Sequence, residues 1–341
     1  MPDLPAPFSP RRVGHLGRVG LLSVAAALAS CDGEQSALAP AGREAEAIAR
    51  LFWWMVGGAA LVWAAVVGLL LLAAFRWPGR SFSHRKAKVL IFVGGAVVPT
   101  LALAVLLVYG LGMLPALVAP APEGSLRVAV DGYQWWWRVR YPLPDGGHVE
   151  LANEIRLPAG EPVRFDLESR DVIHAFWIPA LGGKVDMIPG RKTQLTLHPT
   201  RTGTFRGICA EYCGSSHALM AISVQVMEPD AFRLWLERQA EPAQPPDTPE
   251  ARGGLDVFLA SGCGACHTVR GTEADGTVGP DLTHVGGRLS LGAGILPNDA
   301  GGFYQWLAYT GKVKPGVTMP HFGMLPEGEL RFLSNYLEGL K

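Results

Sequence analysis

Two long stretches of this 341-residue chain carry no charge, and they restrict its fold more than any other feature. Residues 51–75 and residues 89–118 contain no Asp, Glu, Lys or Arg. Each exceeds the ~20 apolar residues that a helix needs to cross a bilayer. A helix over 51–75 would be about 38 Å long against a ~30 Å hydrocarbon core, so a tilted span is expected. Pro99 is placed to kink the second run. Core helices of a soluble domain are the alternative, and the absence of a polar face argues against it. Between the runs lie Arg76, Arg80, Arg85, Lys86 and Lys88 with no acid. The positive-inside rule puts this loop, residues 76–88, in the cytoplasm and both flanks outside. Composition agrees with a membrane component: 18% of residues are charged and 49% hydrophobic. The net charge is zero, so nothing points to nucleic acid.

Upstream, Arg11, Arg12 and Arg18 precede an apolar run from Val19 to Ala29, a signal-peptide layout over residues 1–30. The run ends Leu28-Ala-Ser-Cys31, similar to a bacterial lipobox, which would place lipid on Cys31. A plain signal peptide with an incidental Cys31 is the alternative. Residues 31–50 would then be an extracytoplasmic segment before a first transmembrane helix at 51–75 and a second at 89–118.

From Leu126 to Met227 the pattern changes to period two. Val163, Phe165 and Leu167 alternate with Arg164, Asp166 and Glu168, and Ile222, Val224 and Val226 alternate likewise. Gly and Pro punctuate these runs, which predicts an antiparallel β-sandwich over about 125–238. Asp230 is placed to cap a short helix reaching Ala240. Residues 241–252 hold four prolines and no apolar run, so 239–252 is expected to be a semi-rigid linker before a second unit at 253–341.

The sandwich region carries Cys209-Ala-Glu-Tyr-Cys213-Gly-Ser-Ser-His217-Ala-Leu-Met220, with His174 upstream. Thiolate, imidazole and thioether select copper, zinc or iron–sulfur over hard cations. Two bridging sulfurs, one His for each metal, an axial thioether from Met220 and the Glu211 carbonyl are what a binuclear copper centre needs. A zinc knot or a Cys209–Cys213 disulfide is the plainer alternative. The pattern C-x-E-x-C-G-x-x-H-x-x-M, together with His174, Gly132-Tyr-Gln-Trp-Trp-Trp137 and Lys184-Val-Asp-Met-Ile-Pro-Gly-Arg191, resembles subunit II of the haem–copper cytochrome c oxidases. That resemblance implies a cupredoxin sandwich holding two coppers as the CuA centre on His174, Cys209, Glu211, Cys213, His217 and Met220. It also implies that electrons enter through an exposed Trp135 and that the Glu211 carboxylate helps hold magnesium at the boundary with subunit I. A Trp run is equally at home at a membrane interface.

Beyond the linker, Cys263-Gly-Ala-Cys266-His267 is the attachment motif of c-type haem. Gly279-Pro-Asp-Leu282 and Val317-Thr-Met-Pro320 follow, and Leu330, Leu333, Leu337 and Leu340 stripe a closing helix. Residues 253–341 therefore resemble class I cytochrome c, an all-α domain. The resemblance implies thioethers at Cys263 and Cys266 and axial ligation by His267 and Met319, with Met324 a packing residue and His321 a third candidate. A donor feeding copper favours the higher potential of His–Met ligation.

His148, His198 and His284 show no partner pattern and are expected on the surface or in loops, with His284 a candidate for the haem edge. Lys184 and Asp186 are candidate docking residues. Residues 76–122 contain no acid, so nothing supports a proton-entry role. The whole implies a multidomain membrane protein with a two-helix transmembrane hairpin, an all-β copper domain and an all-α haem domain. It would be a multi-pass protein of the bacterial cytoplasmic membrane with both redox domains outside. Expected partners are oxidase subunits I and III and an external cytochrome c or quinol–cytochrome c reductase. Nitrous-oxide reductase would need more than the nine histidines present. A quinol oxidase subunit would lack the copper ligands, and a copper-delivery protein would need no covalent haem.

Overall fold

The computed structural model describes residues 33–76 and 83–341. The expected signal peptide, Cys31 and Arg80 lie outside the described residues.

Helix α1 spans Arg43–Arg76. It begins at Arg43 rather than at 51, because its first turns belong to the soluble part of the molecule. Glu44 and Glu46 sit in the first turn, where the helix dipole favours acids. Ala41, Ala45 and Ala49 are buried. The strap before the helix is sewn on by Ala41 N–H to the Ala180 carbonyl (2.7 Å) and Thr200 N–H to the Ala41 carbonyl (2.8 Å). His198 lies in a loop, within the expectation, but it has a partner that the sequence did not show: its Nδ1 pairs with Glu44 Oε1 at 2.6 Å. Glu44 is buried, and that pairing satisfies it.

Helix α2 (His84–Phe92) runs through a π turn (Val93–Val97) into α3 (Val98–Leu117). Pro99 shows its effect in that turn. Its ring collides with the carbonyl four residues back and it offers no N–H, so the backbone opens to the wider π spacing before it. Arg43–Phe75 and His84–Leu117 are both long and apolar enough to cross a membrane, and their most apolar windows bury nothing. So much apolar surface left exposed is intelligible only with lipid or another protein against it.

Ten strands follow: β1 Leu126–Tyr133, β2 Trp136–Pro142, β3 His148–Ala152, β4 Glu154–Pro158, β5 Val163–Ser169, β6 His174–Trp177, β7 Val185–Met187, β8 Thr193–Leu197, β9 Gly203–Cys209 and β10 Ala221–Met227. They form two five-stranded sheets, β3-β2-β1-β5-β8 and β4-β10-β9-β6-β7. The sandwich is not purely antiparallel as expected. β1 pairs with β5 and β4 pairs with β10 in parallel, because the chain crosses between sheets before returning to each. The alternation is as expected on β5, where Val163, Phe165 and Leu167 face the core and the charged residues face out.

Helix α4 (Pro229–Ala240) closes the sandwich by burying Phe232 and Trp235 against Tyr141. Asp230 does not cap it. Glu228 holds the cap position without a side-chain bond, Pro229 starts the helix, and Asp230 lies in the first turn.

The C-terminal unit has three helices: α5 Pro249–Ala260, α6 Ala300–Val313 and α7 Glu327–Gly339. The expected linker is shorter than its prolines suggested. Thr248 Oγ1 accepts from Ala251 N–H at 3.1 Å and caps α5, so residues 249–252 are helical. The remaining segment is tied down. The Arg270 guanidinium donates to the Gln239 and Ala240 carbonyls, and Ala243 N–H donates to the Arg270 carbonyl. His284 donates Nε2 to the Glu241 carbonyl at 2.9 Å, so it holds the linker. Leu330, Leu333, Leu337 and Leu340 are all buried, with Phe258 of α5 packed on Tyr336 of α7.

Candidate metal centres

The first donor cluster lies at one end of the sandwich. His174 opens β6 and Cys209 closes β9, and the pairing Phe176↔Cys209 brings those strand ends together. The loop after Cys209 returns Cys213, a short turn carries His217, and Met220 precedes β10. The ligating atoms of His174, Cys209 and Cys213 all lie within 4.8 Å of one another. Cys209 Sγ is 3.8 Å from His174 Nδ1 and 3.2 Å from the Glu211 carbonyl oxygen. Cys213 Sγ is 3.5 Å from His217 Nδ1 and 3.8 Å from Met220 Sδ. Six donors thus fall into two sets, one on each sulfur.

These donors are held from behind. Asp171 Oδ1 meets His174 Nε2 at 2.8 Å, which leaves Nδ1 facing the sulfur. Burial opposes charge on His174, but its bonds to Cys209 and Asp171 outweigh this and raise its pKa. The Cys213 carbonyl accepts from Gln134 Nε2 (2.7 Å) and Trp135 Nε1 (3.0 Å). Trp137, fully buried, stands edge-on to His174 and donates Nε1 to the Met220 carbonyl. The two thiols compete for one proton: the bond from Cys213 drops Cys209 to about 4 and pushes Cys213 up. A thiol whose pKa is lowered is the kind of soft anionic donor that copper or zinc selects.

The second site is a cavity of about 420 Å³ in the C-terminal unit, with one wall borrowed from the sandwich. Cys263, Cys266, His267 and Met319 line it, and so do Trp135 and Trp136. His267 donates Nδ1 to the Pro280 carbonyl at 2.8 Å, which frees Nε2. A Cβ on Gly279 would come within 2.4 Å of the His267 ring, so only glycine allows that approach. Met319 Sδ accepts from Trp306 Nε1 at 3.3 Å. Burial lowers the His267 pKa and raises Cys263 to about 11. The cavity walls leave Arg288 Nε buried without a partner. A hollow of this size with two thiols, an imidazole, a thioether and a guanidinium nitrogen left unpaired fits a large covalent anionic cofactor such as haem c. Met324, expected to pack, is 68% exposed, and His321 is also exposed and does not line the cavity.

The family described as cytochrome C oxidase subunit II, periplasmic domain, matches residues 144–227. Cytochrome c oxidase subunit 2 of Alkalihalophilus pseudofirmus is 35% identical over 225 residues, covering 65% of this chain and 64% of that protein. The probable cytochrome c oxidase subunit 2 of Rickettsia bellii is 30% identical over 195 residues, covering 50% of this chain and 71% of that protein. The chain belongs to the cytochrome c oxidase subunit II family. The crystal structure of the periplasmic domain of subunit II of cytochrome oxidase from Bradyrhizobium japonicum is 35% identical. That match covers 35% of this chain and 96% of that one at a TM-score of 0.33. The chain spans 64% of the length of the Alkalihalophilus relative.

The periplasmic-domain match ends at residue 227 and does not reach the C-terminal unit. All six expected subunit II donors converge. Glu211 turns its carboxylate to solvent and its carbonyl to Cys209. Lys184 and Asp186 pair with each other at 3.1 Å and touch neither site. Trp135, expected exposed, is 6% exposed because Gly316 of the C-terminal unit lies over its ring. That glycine has φ +84° and a Cβ there would come within 2.7 Å of the indole. Asp171, Gln134 and Ser216, whose Oγ donates to the Pro315 carbonyl at 2.6 Å, escaped the sequence reading. Asp171 was legible in principle, three residues before a ligand His.

Proposed function

We propose that the chain is the electron-input subunit of a haem–copper terminal oxidase in a bacterial membrane. On this reading α1 and the α2–α3 pair form a two-span anchor, with both redox domains on the periplasmic side. His174, Cys209, Glu211, Cys213, His217 and Met220 hold a binuclear copper centre. Cys263 and Cys266 would attach haem c, and His267 and Met319 would ligate its iron. When bound, each centre takes up and releases single electrons. An external cytochrome c or a quinol–cytochrome c reductase supplies them at the C-terminal unit. Subunit I receives them for oxygen reduction, with subunit III alongside. The exposed Glu211 carboxylate is available to magnesium at the subunit I boundary.

One observation carries this reading. Trp135 lines the haem cavity and donates its Nε1–H to the carbonyl of Cys213, so a single buried side chain touches both sites. The protein's contribution is to hold that contact rigid and dry. Trp135 is therefore an internal relay, and an external donor docks on the C-terminal unit instead.

The test is metal analysis of the purified chain with electron paramagnetic resonance. About two coppers and about one covalent iron per chain are expected, with a shared-valence copper signal. Cys213→Ser should abolish that signal and leave the haem spectrum unchanged. A single copper, or a shared-valence signal that survives the substitution, rejects the binuclear assignment.

A further inference from the structure

We propose that Lys314 is the counter-ion of a haem propionate, placed where the haem cavity meets the copper loop. The inference rests on the haem reading above. Lys314 follows the last turn of α6, is 2% exposed and lines the cavity. Its Nζ donates one hydrogen bond, to the Gly292 carbonyl at 2.9 Å. An ammonium has three donors to satisfy. Buried cations persist in folded proteins when an anion answers them.

Among the described residues no carboxylate answers this one. Burial drops its pKa to about 7, and the one titratable group that works against this is the Cys213 thiol. Arg288, the other basic side chain that carries a fixed charge at the cavity wall, differs. Burial lowers its pKa too, but its guanidinium donates to the Asp281 carbonyl, and Glu154, Asp281 and Glu150 lie close enough to offset part of that burial. Lys314 alone is left needing an anion. The cavity's own cofactor brings one. A haem anchored at Cys263 and Cys266 carries two carboxylates of its own, and one of them would answer Lys314 where that residue lines the cavity.

The placement has an electrical consequence. A cation beside the haem disfavours ferric iron and raises the potential. The same cation lies within the field of Cys213, so it acts between the two centres.

Lys314→Met and Lys314→Arg, made in the full chain with copper and haem loaded, separate charge from packing. The readouts are a spectropotentiometric titration of the haem and the thioether-to-ferric-iron absorption band. In Lys314→Met the haem should remain attached and the band remain present. The ferrous-to-ferric ratio at a fixed poise should fall roughly tenfold, the order expected for one charge lost in a partly screened site. Lys314→Arg should titrate like the wild type. An unchanged potential in Lys314→Met overturns the proposal, and so does a Lys314→Arg potential as low as that of Lys314→Met. If Lys314→Met loses its haem, a second measurement decides. Wild-type protein with nitrogen-labelled lysine should show a lysine band in the haem redox-difference infrared spectrum that Lys314→Arg lacks, and its absence overturns the proposal. A wild-type chain without covalent haem would reject the functional reading itself, whereas a haem-bearing chain with no Lys314 effect rejects this inference alone.

Discussion

The two centres are built on opposite plans. The copper end of the sandwich assembles its donors from strand ends already fixed by a continuous core, and Asp171, Gln134 and Trp137 lock them from behind. The C-terminal unit leaves a hollow in the middle of its apolar cluster, which the proposed haem would fill to complete the core. A metal site made of side chains inherits the rigidity of its scaffold. A site made around a large cofactor inherits its stability from what it holds.

The sharpest way to break this contrast is to remove the cofactor. Cys263→Ala with Cys266→Ala should prevent haem attachment. A residual cavity of about 420 Å³ costs on the order of 10 kcal/mol, as much as a whole small domain is worth. The C-terminal unit should then lose fixed structure, seen as rapid proteolysis after residue 240 and loss of helical circular dichroism. The copper signal should persist. A haem-free unit that resists protease would show that its core is complete without the cofactor. Removing copper instead should lower the melting temperature of the sandwich without unfolding it, because metal binding there adds to a core that already exists.

The next effect tests the wall the two domains share. Arg138 of β2 donates to the Thr277, Val278 and Gly279 carbonyls and pairs with Glu150 at 3.3 Å. Glu150 accepts from Asp281 N–H, and Glu154 accepts from Leu289 N–H at 2.6 Å. These contacts hold the loop that ends at Pro280, the partner of His267. Burial raises the Glu150 pKa and Arg138 opposes that rise, so Arg138→Ala leaves a buried acid less compensated. The expected cost is about 3 kcal/mol at the interface. After cleavage within 241–248 the wild-type C-terminal unit should stay bound to the sandwich, and the Arg138→Ala unit should come away on gel filtration. Release of the wild-type unit as well would mean that the linker alone holds the domains together.

Much of this organisation was legible in the sequence because the chemistry is local in the chain. Cys209 to Met220 and Cys263 to His267 are each held within one short segment, and spacing alone specifies them. The charge-free runs and the alternation on β5 are period-based and equally visible. What escaped depends on contacts distant in sequence. Glu44 meets His198, Trp135 disappears beneath Gly316, and Arg138 reaches the carbonyls of residues 277–279. Strand order was hidden for the same reason, since parallel pairing of β1 with β5 is set by crossovers rather than by any one strand. Met319 was set apart from Met324 by the proline that follows it, but the surroundings of the two were not legible. Burial separates them, with Met319 in the cavity and Met324 in solvent.

The smallest expected effect compares surface charge on the two units. On the outer face of the sandwich, Asp166 accepts from Arg127 and Arg164, each at 2.8 Å, and its side chain is 27% exposed. Partial burial works to raise its pKa, but the two guanidinium bonds prevail and lower it. An acid whose folded pKa is depressed contributes stability above its unfolded value, ~3.9, and loses it as pH falls through the folded value. Because both arginines are well solvated, the contribution at pH ~7 should stay below ~1 kcal/mol. Asp166→Asn should therefore lower the melting temperature of the sandwich by no more than ~4 °C at neutral pH. That difference should vanish once the pH is well below ~3.9, where the wild-type carboxyl is itself neutral. On the C-terminal unit, Glu327 and Arg331 form an exposed i,i+4 pair on α7, and Glu327→Gln should give no measurable shift at any pH. Tryptophan fluorescence of the full chain in detergent, followed through thermal unfolding at both pH values, measures each. An equal response to the two substitutions would show that two arginines converging on one partly buried acid contribute no more than a solvated helix pair.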